Sequence, residues 1–120
     1  MNNTKDRLDS FEKSGVYKLN CQDCDATCIG QTGRSFQTRT SEHFSHWQNG
    51  HIDKSNFADH LITNNHTFDP IINTDILHLE KKGKKLSVLE NFEIHKSLSK
   101  NENLVNVILN HRHISPLFNI

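Results

Sequence analysis

Short apolar runs alternate with polar ones along this chain, and the period of the alternation changes several times. Val16, Tyr17 and Leu19 have the spacing of a half-buried strand, and Thr27 to Ile29 suit a strand returning beside it. Asn20 to Asp25 supplies turn chemistry between them, so the segment predicts a hairpin with an enlarged tip. Gly30 and Gly33 bracket a tight loop, and Ser35 is placed to accept the first amide hydrogens of a helix. Phe36, Thr40, Phe44 and Trp47 then recur at helical spacing on one face until Asn49-Gly50 ends the helix. Ser55 caps a second, short helix with Phe57, Ala58, Leu61 and Ile62 turned inward and Asn64-Asn65 as its stop. Pro70 enforces extended backbone after it. Ile76, Leu77 and Leu79 predict a third strand from Asp75 to Glu80. A basic turn, Lys81 to Lys85, leads into a third helix with Leu86, Leu89 and Phe92 on its apolar side, joined by Val88.

The pattern therefore predicts an α+β domain over residues 14–120, a small three-stranded antiparallel sheet flanked by helices. Residues 1–13 are polar and irregular and read as a flexible lead-in, while the tail is rich in asparagine. A chain of 120 residues fits one domain. With 33% apolar residues and a mean hydropathy of −0.69 it can build one small core, which a structural metal would help to hold.

Charge changes the picture less than histidine does. Lys+Arg and Asp+Glu balance at 14 each, which argues against an indiscriminate polyanion binder but leaves room for a local basic face. Nine histidines in this length are unusual. No apolar run approaches a membrane span, and the N-terminus lacks the segments of a signal peptide, so an intracellular protein is expected. Three cysteines cannot all pair, and a reducing compartment favours thiolates.

Cys21-x2-Cys24 is thus better read as half of a metal site than as a disulfide. Tetrahedral Zn2+ takes four Cys or His ligands in closely spaced pairs, and His60-x5-His66 is the natural second pair. The segment between Cys24 and His60 is too long for a compact zinc finger, so the site would bridge the hairpin tip to the second helix. A redox CxxC is the competing reading. Cys28 is a bystander by spacing, a small buried hydrophobe.

The order of Gly15-Val16-Tyr17, Cys21-x2-Cys24, Cys28-Ile29-Gly30 and Gln31-Thr32-Gly33-Arg34, followed by a helix carrying Arg39 and His43, resembles a GIY-YIG endonuclease domain. More narrowly it resembles the zinc-containing version carried by Penelope-like retroelements, from about Ser14 onward. The resemblance implies a metal-dependent DNA endonuclease, a detached retroelement domain acting in the nucleus, with DNA as partner and a homodimer left open. Tyr17 would be the base that takes a proton from the attacking water. Arg39 would grip the phosphate, His43 would bind substrate or relay a proton, and Glu90 would hold a catalytic Mg2+ or Mn2+. Gly30, Arg34 and Asn106 would contact substrate, and Cys21, Cys24, His60 and His66 would hold the structural zinc, as in the family's CCHH pattern.

The departure is Cys28, where the second motif tyrosine should stand. A thiol is shorter and a weaker donor than a phenol. Two further readings follow: a catalytically inactive, zinc-stapled DNA-binding module, and a zinc-dependent protein-interaction domain.

Overall fold

Among the described residues, three strands and three helices carry the architecture: β1 (Gly15–Asn20), β2 (Thr27–Thr32), α1 (Phe36–Gln48), α2 (Asn56–Asn64), β3 (Thr74–Leu79) and α3 (Lys84–Ser99). The structure, a computed structural model, describes residues 9–51 and 55–106. The sheet is antiparallel with β1 in the middle, in the order β2-β1-β3, and Tyr17 lies opposite Gly30 on one side and Ile76 on the other. This is the expected α+β class.

Period-2 alternation sends successive residues of β1 to opposite faces of the sheet. Tyr17 and Leu19, with Cys28 from β2, join a core built with Phe36 of α1 and Phe57 and Leu61 of α2. Val16 and Ile29 face the other way, into a smaller core with Leu86 and Leu104 against which Leu89 packs. The sheet is therefore covered on both faces, by α1 and α2 on one side and α3 on the other. Gly15 opens β1 at φ 152°, and any side chain there would run into the carbonyl of His78 on β3.

Both expected caps are present. Ser35 Oγ accepts from Thr38 N at 3.0 Å, and Ser55 Oγ accepts from Ala58 N at 3.1 Å. Asn65 closes α2 in the left-handed region at φ 57°.

Four expectations are corrected. Gly30 is not in a loop, because β2 continues to Thr32 and only Gly33 lies in the turn. The last residues of the lead-in are packed. Phe11 is buried in the main core, and the carbonyls of Lys13 and Phe11 accept from Phe36 N and Gln37 N at the start of α1; Met1 to Leu8 lie outside the described residues. On α1 the buried residues are Phe36, Thr40 and His43, with Phe44 and Trp47 only partly covered. On α3, Phe92 and Val88 are exposed. The inward face of α3 instead runs through Leu86, Leu89 and polar groups that have partners: Glu93 meets His78 Nε2 at 2.7 Å, and Ser97 Oγ donates to Glu102 at 2.6 Å. Satisfied polar groups can occupy a buried face that a reading by hydrophobicity gives to Phe92.

Candidate functional site

The tip of the β1–β2 hairpin folds back on itself, with Cys21 N donating to Ala26 O at 3.0 Å and Ala26 N to Cys24 Sγ at 3.4 Å. Asp23 fastens the tip to the chain beyond α2, since its Oδ2 accepts from Thr67 N at 2.7 Å and from Thr67 Oγ1 at 2.8 Å. The turn at Asn65 brings His66 back beside α2, where its N–H reaches Leu61 O at 2.9 Å. These two local structures bring Cys21, Cys24, His60 and His66 together, with one ligand atom from each lying within 4.8 Å of all the others. Cys21 Sγ is 3.3 Å from His66 Nδ1, and Cys24 Sγ is 3.4 Å from His60 Nε2.

The fit to a metal is chemical as well as geometric. Bonds of about 2.3 Å to sulfur and about 2.0 Å to nitrogen put tetrahedral ligand atoms some 3.3–3.8 Å apart. Two thiols and two imidazoles suit Zn2+ and are wrong for Mg2+ or Ca2+. The cluster could hold a metal ion and is compatible with structural zinc. The bridge from hairpin tip to α2 is as the sequence spacing implied, and Cys28 is not a member of the group.

A second polar region opens where β2 forms the edge of the sheet. It is a cleft of about 280 Å³ whose lining includes Tyr17, Arg39, His43, Gly30, Glu90 and Asn106, with Cys28, Gln31 and Ser55 among them. Tyr17 reaches it because residue 30 is glycine. A Cβ there would lie 2.5 Å from the phenol oxygen, so the ring can lie across β2 only over a glycine. Glu90 comes from the helix on the opposite face. Its Oε1 accepts from Gln31 Nε2 at 3.0 Å, and Oε2 has no hydrogen-bond or ion-pair partner among the described residues. The cleft therefore wraps around the β2 edge, drawing groups from both faces of the sheet. His43 is part of the floor, 4% exposed.

Hydrogen bonds order that floor. Tyr17 Oη and His43 Nε2 are 2.9 Å apart, and His43 Nδ1 lies 2.6 Å from Ser55 Oγ. Burial raises the Tyr17 pKa far above the usual phenol value, against the opposing pull of the Arg39 charge. Burial also holds His43 down to about 3, with the Arg39 charge acting in the same direction, so the imidazole is neutral at ordinary pH. Cys28 is pushed up to about 12 by burial, which makes it a neutral thiol and no nucleophile. Arg39 Nη1 is 3.0 Å from Glu42 Oε1, and its side chain keeps 29% exposure beside the cleft.

Two expected substrate contacts are used differently. Arg34 is absent from the cleft lining; it sits in a neighbouring groove with Lys13 and Lys81, and its fork holds Glu42 through two bonds of 2.7 Å. Asn106 lines the cleft, but its amide pins the β2 edge by accepting from Ile29 N at 2.9 Å and donating to Ile29 O at 2.7 Å. Sequence reasoning missed Gln31 as the partner of Glu90 and Ser55 as the partner of His43. Gln31 and Glu90 lie far apart in the chain, and for Ser55, on the neighbouring helix start, only the capping signal was visible.

The chain matches no family model, no curated protein and no solved structure. No helix of the described residues is long and apolar enough to cross a membrane.

Proposed function

We propose that this chain is a divalent-metal-dependent DNA endonuclease of the GIY-YIG type with a structural zinc in the CCHH cluster. One observation carries the reading. Tyr17, Arg39, His43 and Glu90, which the motif order names from separate parts of the sequence, line a single polar cleft. Unrelated surface residues have no reason to converge around a glycine that makes room for the only tyrosine of the chain.

The residues divide the work of phosphodiester hydrolysis. Arg39 offers a planar fork to two phosphate oxygens and meets the charge that grows on phosphorus. Glu90 would hold a catalytic Mg2+ or Mn2+ through Oε2, while Gln31 fixes its other oxygen. Such an ion supplies charge stabilisation to the phosphate and its leaving oxygen. Tyr17 is too deeply buried to exist as a phenolate, so it can act as a base only by passing on its own proton. His43 Nε2, 2.9 Å away, is the acceptor within reach, and a bound phosphate would offset the Arg39 charge that disfavours the imidazolium. Asn106 keeps the β2 edge in place beneath the substrate.

A second reading, a zinc-stapled DNA-binding module without catalysis, is favoured by one observation. Cys28 lines the cleft as a buried neutral thiol in the place of the second motif tyrosine, so that donor is missing. One experiment separates the two: purified protein with supercoiled plasmid and Mg2+, beside Glu90→Ala. The enzyme nicks the plasmid and Glu90→Ala does not, with a loss of about 10²-fold or more. Retention of the plasmid in a gel shift, with no nicking by either protein, selects the binding module.

A further inference from the structure

Ser55 stands behind His43 in a way that capping alone does not require. As N-cap of α2 it needs only to accept the Ala58 amide, yet its hydroxyl lies 2.6 Å from His43 Nδ1 in a buried setting. Both ring nitrogens of His43 are thus engaged, one by Ser55 and the other by Tyr17 Oη at 2.9 Å.

A neutral imidazole carries one N–H, so the two contacts are linked. If Nδ1 carries the hydrogen and gives it to Ser55 Oγ, Nε2 presents a lone pair and receives the hydroxyl hydrogen of Tyr17. The lone pairs of Tyr17 then face the cleft and can take a proton. If Ser55 donates to Nδ1, Nε2–H points at Tyr17 and Tyr17 can only donate towards the cleft. A serine hydroxyl rotates and can meet either state, and it has a second acceptor site to spare beside the Ala58 bond. Asparagine and aspartate cap helices equally well but lack that freedom.

We propose that Ser55 is a positioning residue that holds His43 in the orientation, and accepts from it in the protonation state, that lets Tyr17 act as a proton acceptor for the cleft. The inference rests on the nuclease reading for its chemistry. In the forward step a proton of the attacking water moves to Tyr17 Oη, the hydroxyl hydrogen of Tyr17 moves to His43 Nε2, and Nδ1–H of the resulting imidazolium donates to Ser55 Oγ. The water oxygen bonds to phosphorus as the P–O bond to the departing oxygen breaks, solvent protonates that oxygen, and Tyr17 then releases a proton to water in the cleft and recovers its own from His43. Protons balance over the cycle, and Ser55 loses none. The titratable or charged groups around His43 are Tyr17 from β1, Cys28 from β2, Arg39, Glu42 and His46 on α1, and Glu90 across the cleft from α3.

Two variants separate positioning from capping. Glycine is a good N-cap, so Ser55→Gly keeps α2 with little loss of stability while deleting the hydroxyl. Ser55→Asp keeps the cap and places a fixed acceptor against Nδ1. The primary readout is independent of activity: the 15N shifts of the His43 ring followed against pH, with the Tyr17 phenol followed by ultraviolet absorbance. Ser55→Asp should move the His43 titration upward by about one unit or more, and the Tyr17 signal should respond with it. In the nicking assay Ser55→Gly should lower kcat about 10-fold or more with DNA affinity unchanged, and Ser55→Asp should move the acid limb of the pH profile upward. Ring shifts and titrations identical to wild type in both folded variants would overturn the proposal. A wild type that nicks nothing removes the nuclease reading alone, because the ring titration still decides whether Ser55 governs His43.

Discussion

The CCHH cluster and the β2-edge cleft are both polar and both assembled from distant segments, yet they are built on opposite plans. The cluster is tight: four ligand atoms of the right types sit within 4.8 Å of one another, and little but a soft metal ion suits that arrangement. The cleft is open, and its polar groups already have protein partners: Arg39 has Glu42, Glu90 has Gln31, and Tyr17 has His43. A closed site declares its ligand by donor chemistry alone. An open site declares only what kind of charge it can meet, and its identity must come from which residues the chain delivers there. The helix α2 joins the two, since Ser55 at its start holds His43 and His60 further along belongs to the cluster.

The largest effect should come from breaking the cluster. Metal analysis should find one zinc per chain, and Cys21→Ser should lose it together with folding free energy on the order of several kcal/mol, read as a large fall in Tm. Because Ser55 rides on α2, the same variant should weaken protection of the His43 ring signals. A Cys21→Ser protein with unchanged metal content and Tm would dissolve the contrast between the two regions.

Next in size is the cleft's own test. Tyr17→Phe removes one hydroxyl from the 2.9 Å contact with His43 and leaves the packing ring in place. Nicking should fall by about 10² to 10⁴-fold. Tm should fall modestly, since a buried ring nitrogen loses its partner at a cost of about 1–3 kcal/mol. A Tyr17→Phe protein nicking at the wild-type rate would show that the cleft's geometry is not its chemistry.

Much of this plan was legible in the sequence, and the limits of legibility have physical causes. The three strands, both serine caps and all four cluster ligands could be read because each depends on short-range rules: alternation, capping chemistry and paired spacing. The face of α3 could not, because the half-buried Glu93 and the buried Ser97 meet partners that only the tertiary fold supplies. Gly30 was read as a loop glycine when its use is to make room for a phenol across the strand, a contact between residues paired by register. On α1 an apolar-stripe argument puts Phe44 inward, whereas hydrogen bonds at both ring nitrogens let His43 take the buried position.

A smaller effect should appear in the pH dependence of stability. Burial, with the Arg39 charge second, lowers the His43 pKa from 6.5 to about 3. The unfolded chain therefore takes up a proton below about 6.5 that the folded state refuses until far lower pH, so stability is full above that range and is lost as pH falls towards 3. The complete penalty is on the order of 5 kcal/mol, of which only part accrues by mild acid. Glu42, held down to about 2 chiefly by Arg34, contributes only below its ordinary value of 4.5 and leaves the window above it clear. Between pH 7 and 4.5 the fall in Tm should be smaller in His43→Gln than in wild type, a comparison that subtracts the acid sensitivity of the cluster histidines. Equal falls would mean that the floor of the cleft is wetter than its burial implies.

The smallest effect belongs to Arg34, and it sharpens the contrast by asking where the open site ends. Arg34 is 59% exposed on its side chain, and Glu42 takes both arms of its fork while also accepting from Arg39. Exposed ion pairs contribute little to stability, so Arg34→Ala should leave Tm almost unmoved. Its consequence for DNA depends on Glu42. If Arg34 touches backbone phosphate, its loss should weaken binding equally for all sequences and lower the salt slope by about 1. If it serves instead to occupy Glu42, removing it leaves that carboxylate wholly to Arg39, and the rate should fall while the salt slope stays as it was. The second outcome is expected, because the paired fork faces the neighbouring groove and not the cleft. Glu42→Gln in the Arg34→Ala background should then restore the rate by returning the full charge of Arg39 to the phosphate.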